Sequence, residues 1–114
     1  MTYQQDLQPV FSALSDPTRR GIFDALANGP HSVSALAKSR PISRPAVSQH
    51  LKVLEEAGLV SAVNQGTKRI YNIERAGLSG LRAYLEAFWD DVLDAYANEI
   101  DNNNAANNQS GKDT

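Results

Sequence analysis

The chain is 114 residues long, with 41% apolar and 21% charged residues and no cysteine. That leaves room for one ordinary domain and a tail, and excludes a multidomain enzyme, a disulfide framework, a thiolate metal site and a cysteine nucleophile. The net charge of −2 hides an asymmetry: Asp16 to Arg82 holds ten basic against five acidic residues, whereas Ala83 to Thr114 holds one basic residue, Lys112, against seven acidic. Such a split predicts a middle that binds a polyanion and an acidic end with a different task. Without a basic-then-apolar leader or a long apolar run, the expected protein is cytoplasmic and has no membrane partner.

Leu7, Val10, Phe11 and Leu14 recur at helical spacing and predict a short first helix over Leu7 to Leu14, with Pro9 tolerated near its start. Ser15-Asp16-Pro17 supplies a cap and a preorganised first turn for a second helix, whose Ile22, Phe23 and Leu26 face inward until Asn28-Gly29-Pro30 stops it. Either Ser32 or Ser34 caps a third, short helix that carries Val33, Leu36 and Ala37 inward and ends near Lys38, before Pro41. Ser43, with Pro45 in the first turn, opens a fourth helix lined by Ala46, Val47, Leu51 and Leu54 and closed at Gly58. Two helices joined by the short stretch Ser39 to Ile42 make a helix-turn-helix.

After Gly58 the pattern changes. Leu59 to Val63 and Arg69 to Ile73 are rich in Val, Ile and Tyr, and Asn64 to Lys68 between them holds a glycine, which predicts a hairpin. From about Ala76 a long helix resumes. Its stripe of Leu78, Leu81, Leu85, Phe88, Val92 and Ala95 is flanked by a second of Trp89, Leu93, Tyr96 and Ile100, more apolar surface than one small domain covers. Asp101 to Thr114 has no large apolar residue and reads as a disordered polar tail after a single domain over residues 1–100. The expected fold class is mainly α with a two-stranded β-hairpin wing, a winged helix-turn-helix.

This layout inside a basic segment points to double-stranded DNA. At about 100° per residue, Pro45, Gln49, Lys52 and Glu56 lie opposite Val47, Leu51 and Leu54, with Ser48 alongside. Ser43 and Arg44 stand at the helix N-terminus, where backbone N–H groups and the dipole favour phosphate. Gln49 suits bidentate reading of adenine, and Arg44 of guanine. His50 falls beside the apolar stripe; it either reaches a phosphate or base or serves as a hydrogen-bonded boundary histidine. Lys68 and Arg69, at a tight hairpin with little else to do, read as backbone or minor-groove contacts, the alternative being a plain soluble loop. Ser48 and His50 are two apart on one helix and diverge by about 200°, so no catalytic pairing forms and the chain is not expected to be an enzyme.

Three stretches carry a family resemblance: Ala13 to Arg20 (ALSDPTRR), Ile42 to Val60 (ISRPAVSQHLKVLEEAGLV) and Gly66 to Tyr71 (GTKRIY). Together they closely resemble the ArsR/SmtB family of winged-helix repressors. The resemblance, spanning about Leu7 to Tyr96, implies a homodimer joined by its first and last helices, with two recognition helices entering successive major grooves of a palindromic operator. It places DNA contacts on Ser43, Arg44, Ser48, Gln49 and His50 in the recognition helix and on Lys68 and Arg69 in the wing, to which the helical face adds Pro45 and Lys52. The dimer interface is expected at Leu7, Phe11, Leu81, Leu85, Phe88, Trp89, Val92 and Tyr96.

Two departures from the family pattern stand out. Arg40 occupies a place where relatives usually put an apolar residue to anchor the turn, so it either loosens the turn or itself touches phosphate. Metal sensors of the family use cysteines in the third helix or His/Asp/Glu sets in the last; here Asp90, Asp91 and Asp94 have no histidine nearby and read as a solvated acidic face. No metal and no cofactor is expected, which suits the SdpR-like group, whose members answer to small molecules, to partner proteins or to no inducer. Phe88, Trp89 and Tyr96 either line a ligand site between protomers or belong to the dimer interface. The reading favoured is a dimeric transcriptional repressor. Its rival is a winged-helix interaction module that docks a basic partner through its acidic last helix without binding DNA.

Overall fold

A computed structural model describes residues 6–106 of the chain. It contains five α-helices and three β-strands among the described residues: α1 (Gln8–Ser15), α2 (Pro17–Leu26), β1 (His31–Ser32), α3 (Val33–Lys38), α4 (Arg44–Glu56), β2 (Val60–Gln65), β3 (Lys68–Ile73) and α5 (Arg75–Ala106).

Local chemistry sets each boundary. Asp16 precedes a proline, which disfavours the helical region; its backbone is extended, and its side chain accepts from the Arg19 amide at 2.8 Å to cap α2. Ser32, and not Ser34, caps α3 by accepting from the Ala35 amide, and Ser43 caps α4 by accepting from the Ala46 amide. Helix α4 ends in a Schellman turn: the Leu59 amide bonds the Leu54 carbonyl, the Gly58 amide bonds that of Glu55, and Gly58 takes φ +79°.

The sheet differs from the hairpin expected. It has three antiparallel strands in the order β1-β3-β2, because the two-residue β1 pairs His31 with Tyr71 and Ser32 with Ile70. Strands β2 and β3 run in register from Val60↔Ile73 to Gln65↔Lys68, so the loop is only Gly66-Thr67 rather than the five residues predicted. Gly66 has φ +62°, as the first loop position of a type II′ turn demands.

The core beneath these elements is Ile22 and Leu26 of α2, Leu36 of α3, Val47, Leu51 and Leu54 of α4, with Leu59, Val60 and Tyr71 from the sheet side. Val10 and Ala13 anchor α1 to it, and Leu7, Leu78 and Leu81 pack against its edge. At Gly77 a Cβ would fall 1.6 Å from the Gly58 carbonyl oxygen, so the first turn of α5 packs backbone on backbone against the turn that ends α4.

The chain divides into two compact units, one ending at Leu81 and the other beginning at Arg82. Within the second unit α5 continues to Ala106, so residues 101–106 of the expected tail are helical; residues 107–114 lie outside the described residues. Leu85, Phe88, Trp89, Val92, Leu93 and Tyr96 are all exposed along this helix, Trp89 by 57% and Tyr96 by 60%. Tyr84 and Phe88 stack at 6.4 Å, and Arg82 pairs with Glu86 at 3.0 Å one turn on. No helix among the described residues is long and apolar enough to cross a membrane.

Candidate nucleic-acid interface

Helix α4 buries Val47, Leu51 and Leu54 completely. The opposite face is turned outward: Ser43, Arg44, Pro45, Ser48, Gln49 and Lys52 are all exposed. A helix held by one apolar stripe presents its other side in a fixed rotation, and this rotation brings the expected base-reading residues together.

Arg44 is positioned by a neighbour on α3. Its Nη2 donates to Ser34 Oγ at 2.5 Å, tying the first residue of α4 to the second of α3. Ser43 spends one oxygen lone pair on its own helix cap and keeps its hydroxyl proton to donate.

His50 is set apart from the outward face. Half-buried, it receives the Arg19 guanidinium at its Nδ1, 3.4 Å from Nη1. Arginine has no acceptor, so Nδ1 is the bare nitrogen and the ring proton sits on Nε2. Of the two readings open in the sequence, the geometry matches the hydrogen-bonded boundary histidine. Beside it the Arg19 amide, donating to Asp16, holds that carboxyl below its ordinary pKa, with the Arg19 charge acting in the same direction.

At the wing the two basic residues part company. Lys68 is exposed and, among the described residues, its side chain has no hydrogen-bond or ion-pair partner. Arg69, expected to be equally idle, is engaged: Nε donates to the Tyr71 hydroxyl at 3.2 Å, Nη2 lies 3.6 Å from Glu55 of α4, and the guanidinium carbon sits 5.7 Å from the Tyr71 ring centroid. The Tyr71 hydroxyl, with Glu55 behind it, raises a guanidinium pKa that is already high. Arg69 therefore ties the wing to α4. Its partner Glu55 lies fourteen positions away in the chain, beyond any spacing rule that the hairpin sequence offers.

Ser32, Val33, Ser34, Thr67, Lys68 and Arg69 line an open groove of about 260 Å³ between the start of α3 and the wing loop. The hydroxyls of Ser34 and Thr67 were not picked out for this face from sequence, because only the β1–β3 pairing brings α3 up to the wing.

Arg40 fits neither expectation. Its Nη2 donates 2.6 Å to the Gly21 carbonyl in α2, and its Nε is buried without a partner. The side chain turns inward and anchors the turn, taking the place of an apolar residue. It is not laid out toward solvent for phosphate.

Of the interface residues expected from the family, Leu7 and Leu81 are partly buried against the core, while Phe11 remains 41% exposed on α1. Among the described residues, no three histidine, aspartate or glutamate side chains converge to hold a metal ion.

A family profile described as "Helix-turn-helix domain" matches residues 14–62. The chain is 50% identical over 91 residues to the HTH-type transcriptional regulator Rv2034 of Mycobacterium tuberculosis, covering 80% of this chain and 85% of that protein. Among solved structures, an ArsR-like transcriptional regulator from Rhodococcus sp. RHA1 is 34% identical with a TM-score of 0.66, covering 95% of this chain and 94% of the other. The homodimeric winged helix-turn-helix DNA-binding domain Mb0332 of Mycobacterium bovis is 29% identical with a TM-score of 0.61, covering 80% and 92%. The chain belongs to the ArsR family of winged helix-turn-helix transcriptional regulators, DNA-binding proteins rather than enzymes.

Proposed function

We propose that the protein is a cytoplasmic homodimeric repressor that reads a palindromic operator with α4 and grips the flanking backbone with its wing. The observation that carries this reading is the outward face of α4, where Arg44, Ser48, Gln49 and Lys52 are all exposed on a helix whose other side is fully buried. Arg44 and Gln49 face base edges, Ser43, Ser48 and Lys52 meet phosphate or sugar, Pro45 packs against the groove wall, and Lys68 neutralises a phosphate at the wing. His50 and Arg69 support these residues from behind.

Dimerisation through α5 and α1 accounts for the exposed apolar side chains at Phe11 and from Leu85 to Tyr96. Mb0332 is a homodimer of the same fold. We assign the chain to the SdpR-like, non-metal branch on its lack of cysteine and its two histidines, His31 and His50, one of which is engaged by Arg19. The inducing signal is then a small molecule or partner protein.

Nuclease protection on the DNA upstream of the protein's own gene tests the proposal. A protected, two-fold symmetric site is the expected result. No shift of that DNA at micromolar protein, combined with binding of a basic protein to α5, would favour the interaction-module alternative instead.

A further inference from the structure

We propose that Arg19 is a positioning residue for the recognition helix, fixing α4 against the end of α1 through the Nδ1 acceptor of His50. The inference rests on the reading of α4 as the DNA-facing helix.

The last carbonyls of a helix have no backbone N–H partner within it. At the end of α1 they are met by two arginines of α2: Arg19 Nε donates to the Ala13 carbonyl at 2.7 Å and its Nη2 to that of Ser12 at 3.3 Å, while Arg20 Nη1 donates to that of Leu14 at 2.6 Å. A guanidinium is a rigid planar fork. Once two of its three nitrogens are committed to α1, the direction of the third is fixed by α1, and that nitrogen, Nη1, meets His50. Asp16 holds the Arg19 backbone from the other side.

Among the described residues no other hydrogen bond joins α2 to α4. His50 adjoins Gln49 in the chain, so a rotation of α4 that carries Nδ1 away from Arg19 swings Gln49 out of its reading position by the same angle. Base reading tolerates about 0.5 Å of misplacement. A displacement of α1 would therefore reach α4 through Arg19.

Two measurements test the link. The first is the nitrogen–proton correlation spectrum of the His50 ring in the full-length protein without DNA. It should show the Nε2–H tautomer, with an Nδ1 resonance that moves in Arg19→Met; an Nδ1–H tautomer overturns the proposal. The second is affinity for the protected duplex. His50→Leu should weaken it roughly tenfold, the scale of mutations along such networks. His50→Asn, which returns an oxygen acceptor near the Nδ1 position, should recover most of that loss. An asparagine variant no better than leucine refutes the positioning role. If no duplex is bound at all, the DNA reading of α4 has failed, and the ring spectrum still decides whether Arg19 and His50 are joined.

Discussion

Arg40 and Gly21, nineteen positions apart, are joined by a 2.6 Å hydrogen bond from the guanidinium to the backbone carbonyl. The turn between α3 and α4 is thereby pinned to the middle of α2. Gly21 makes the approach feasible, since a Cβ there would stand 3.0 Å from Arg40 Nη1. Arg40→Ala removes a charge-assisted bond at a half-buried site and should cost about 1–3 kcal/mol in stability. Urea unfolding measures that loss. The salt dependence of DNA binding should stay as it was; a reduced salt slope would instead place Arg40 on a phosphate.

Gln49 and Lys68 should fail in different ways. Gln49→Ala is expected to cost about 1–3 kcal/mol on the operator and little on random DNA, because a lost base contact lowers specificity. Lys68→Ala should weaken both DNAs by a similar factor and lower the magnitude of the salt slope by about one, since one fewer counterion is released. Fluorescence anisotropy on both duplexes at several salt concentrations distinguishes the two patterns. The reverse pattern would move base reading from helix to wing.

Leu85→Glu and Phe88→Glu place a charge among the exposed apolar side chains of α5. A stable dimer buries roughly 1,200 Å² or more, and an unpaired carboxylate within it is strongly unfavourable. Sedimentation should show a dimeric wild type and monomeric or unfolded variants, with circular dichroism telling the last two apart. A monomeric wild type at micromolar concentration would end this account of α5.

Zinc, cadmium or arsenite at stoichiometric amounts should leave operator affinity unchanged, because a tight site needs three or four nitrogen or sulfur ligands. Chelator-reversible release from DNA would show that the signal is a metal after all.

Asp16 gives the fold an acid dependence of defined sign. Its carboxyl titrates below the ordinary value because the Arg19 amide donates to it. The stabilisation is in place above the unfolded pKa near 3.8 and is lost as pH falls through the lower folded value. Melting temperature should therefore drop more steeply below about pH 4 in the wild type than in Asp16→Asn, which keeps a capping oxygen without the charge. Parallel slopes in that range would remove Asp16 from the acid transition.

Much of this was legible from neighbouring residues alone. The caps at Asp16 and Ser43, the proline starts and the Gly58 stop are all settled within a few positions, so the order and limits of α1 to α4 could be read off the chain. Strand β1 could not: two residues show no period, and His31 and Ser32 become a strand only because β3 lies alongside. The same limit governed the arginines. Arg40 was expected to loosen the turn or touch phosphate and Arg69 to contact the DNA backbone or minor groove, yet each is committed to a partner fourteen or more positions distant, as Arg19 is to one six positions away. Lys68 and Gln49 stayed outward as expected because, among the described residues, nothing across the fold competes for their side chains.

Ser32 belongs to two structures at once, pairing with Ile70 in the sheet and capping α3 with its hydroxyl. The pairing of Ser32 with Ile70 ties the start of α3 to the wing strand, Arg44 ties α3 to α4, and Arg69 pairs with Glu55 of α4. If α4 and the wing both contact the operator, as proposed, these links favour a set span between the two contacts, which a duplex would meet partly through its own groove width. Base steps that lie between the two contacts and touch neither would still influence affinity through how readily they bend, so operator preference should extend to positions that no side chain reads.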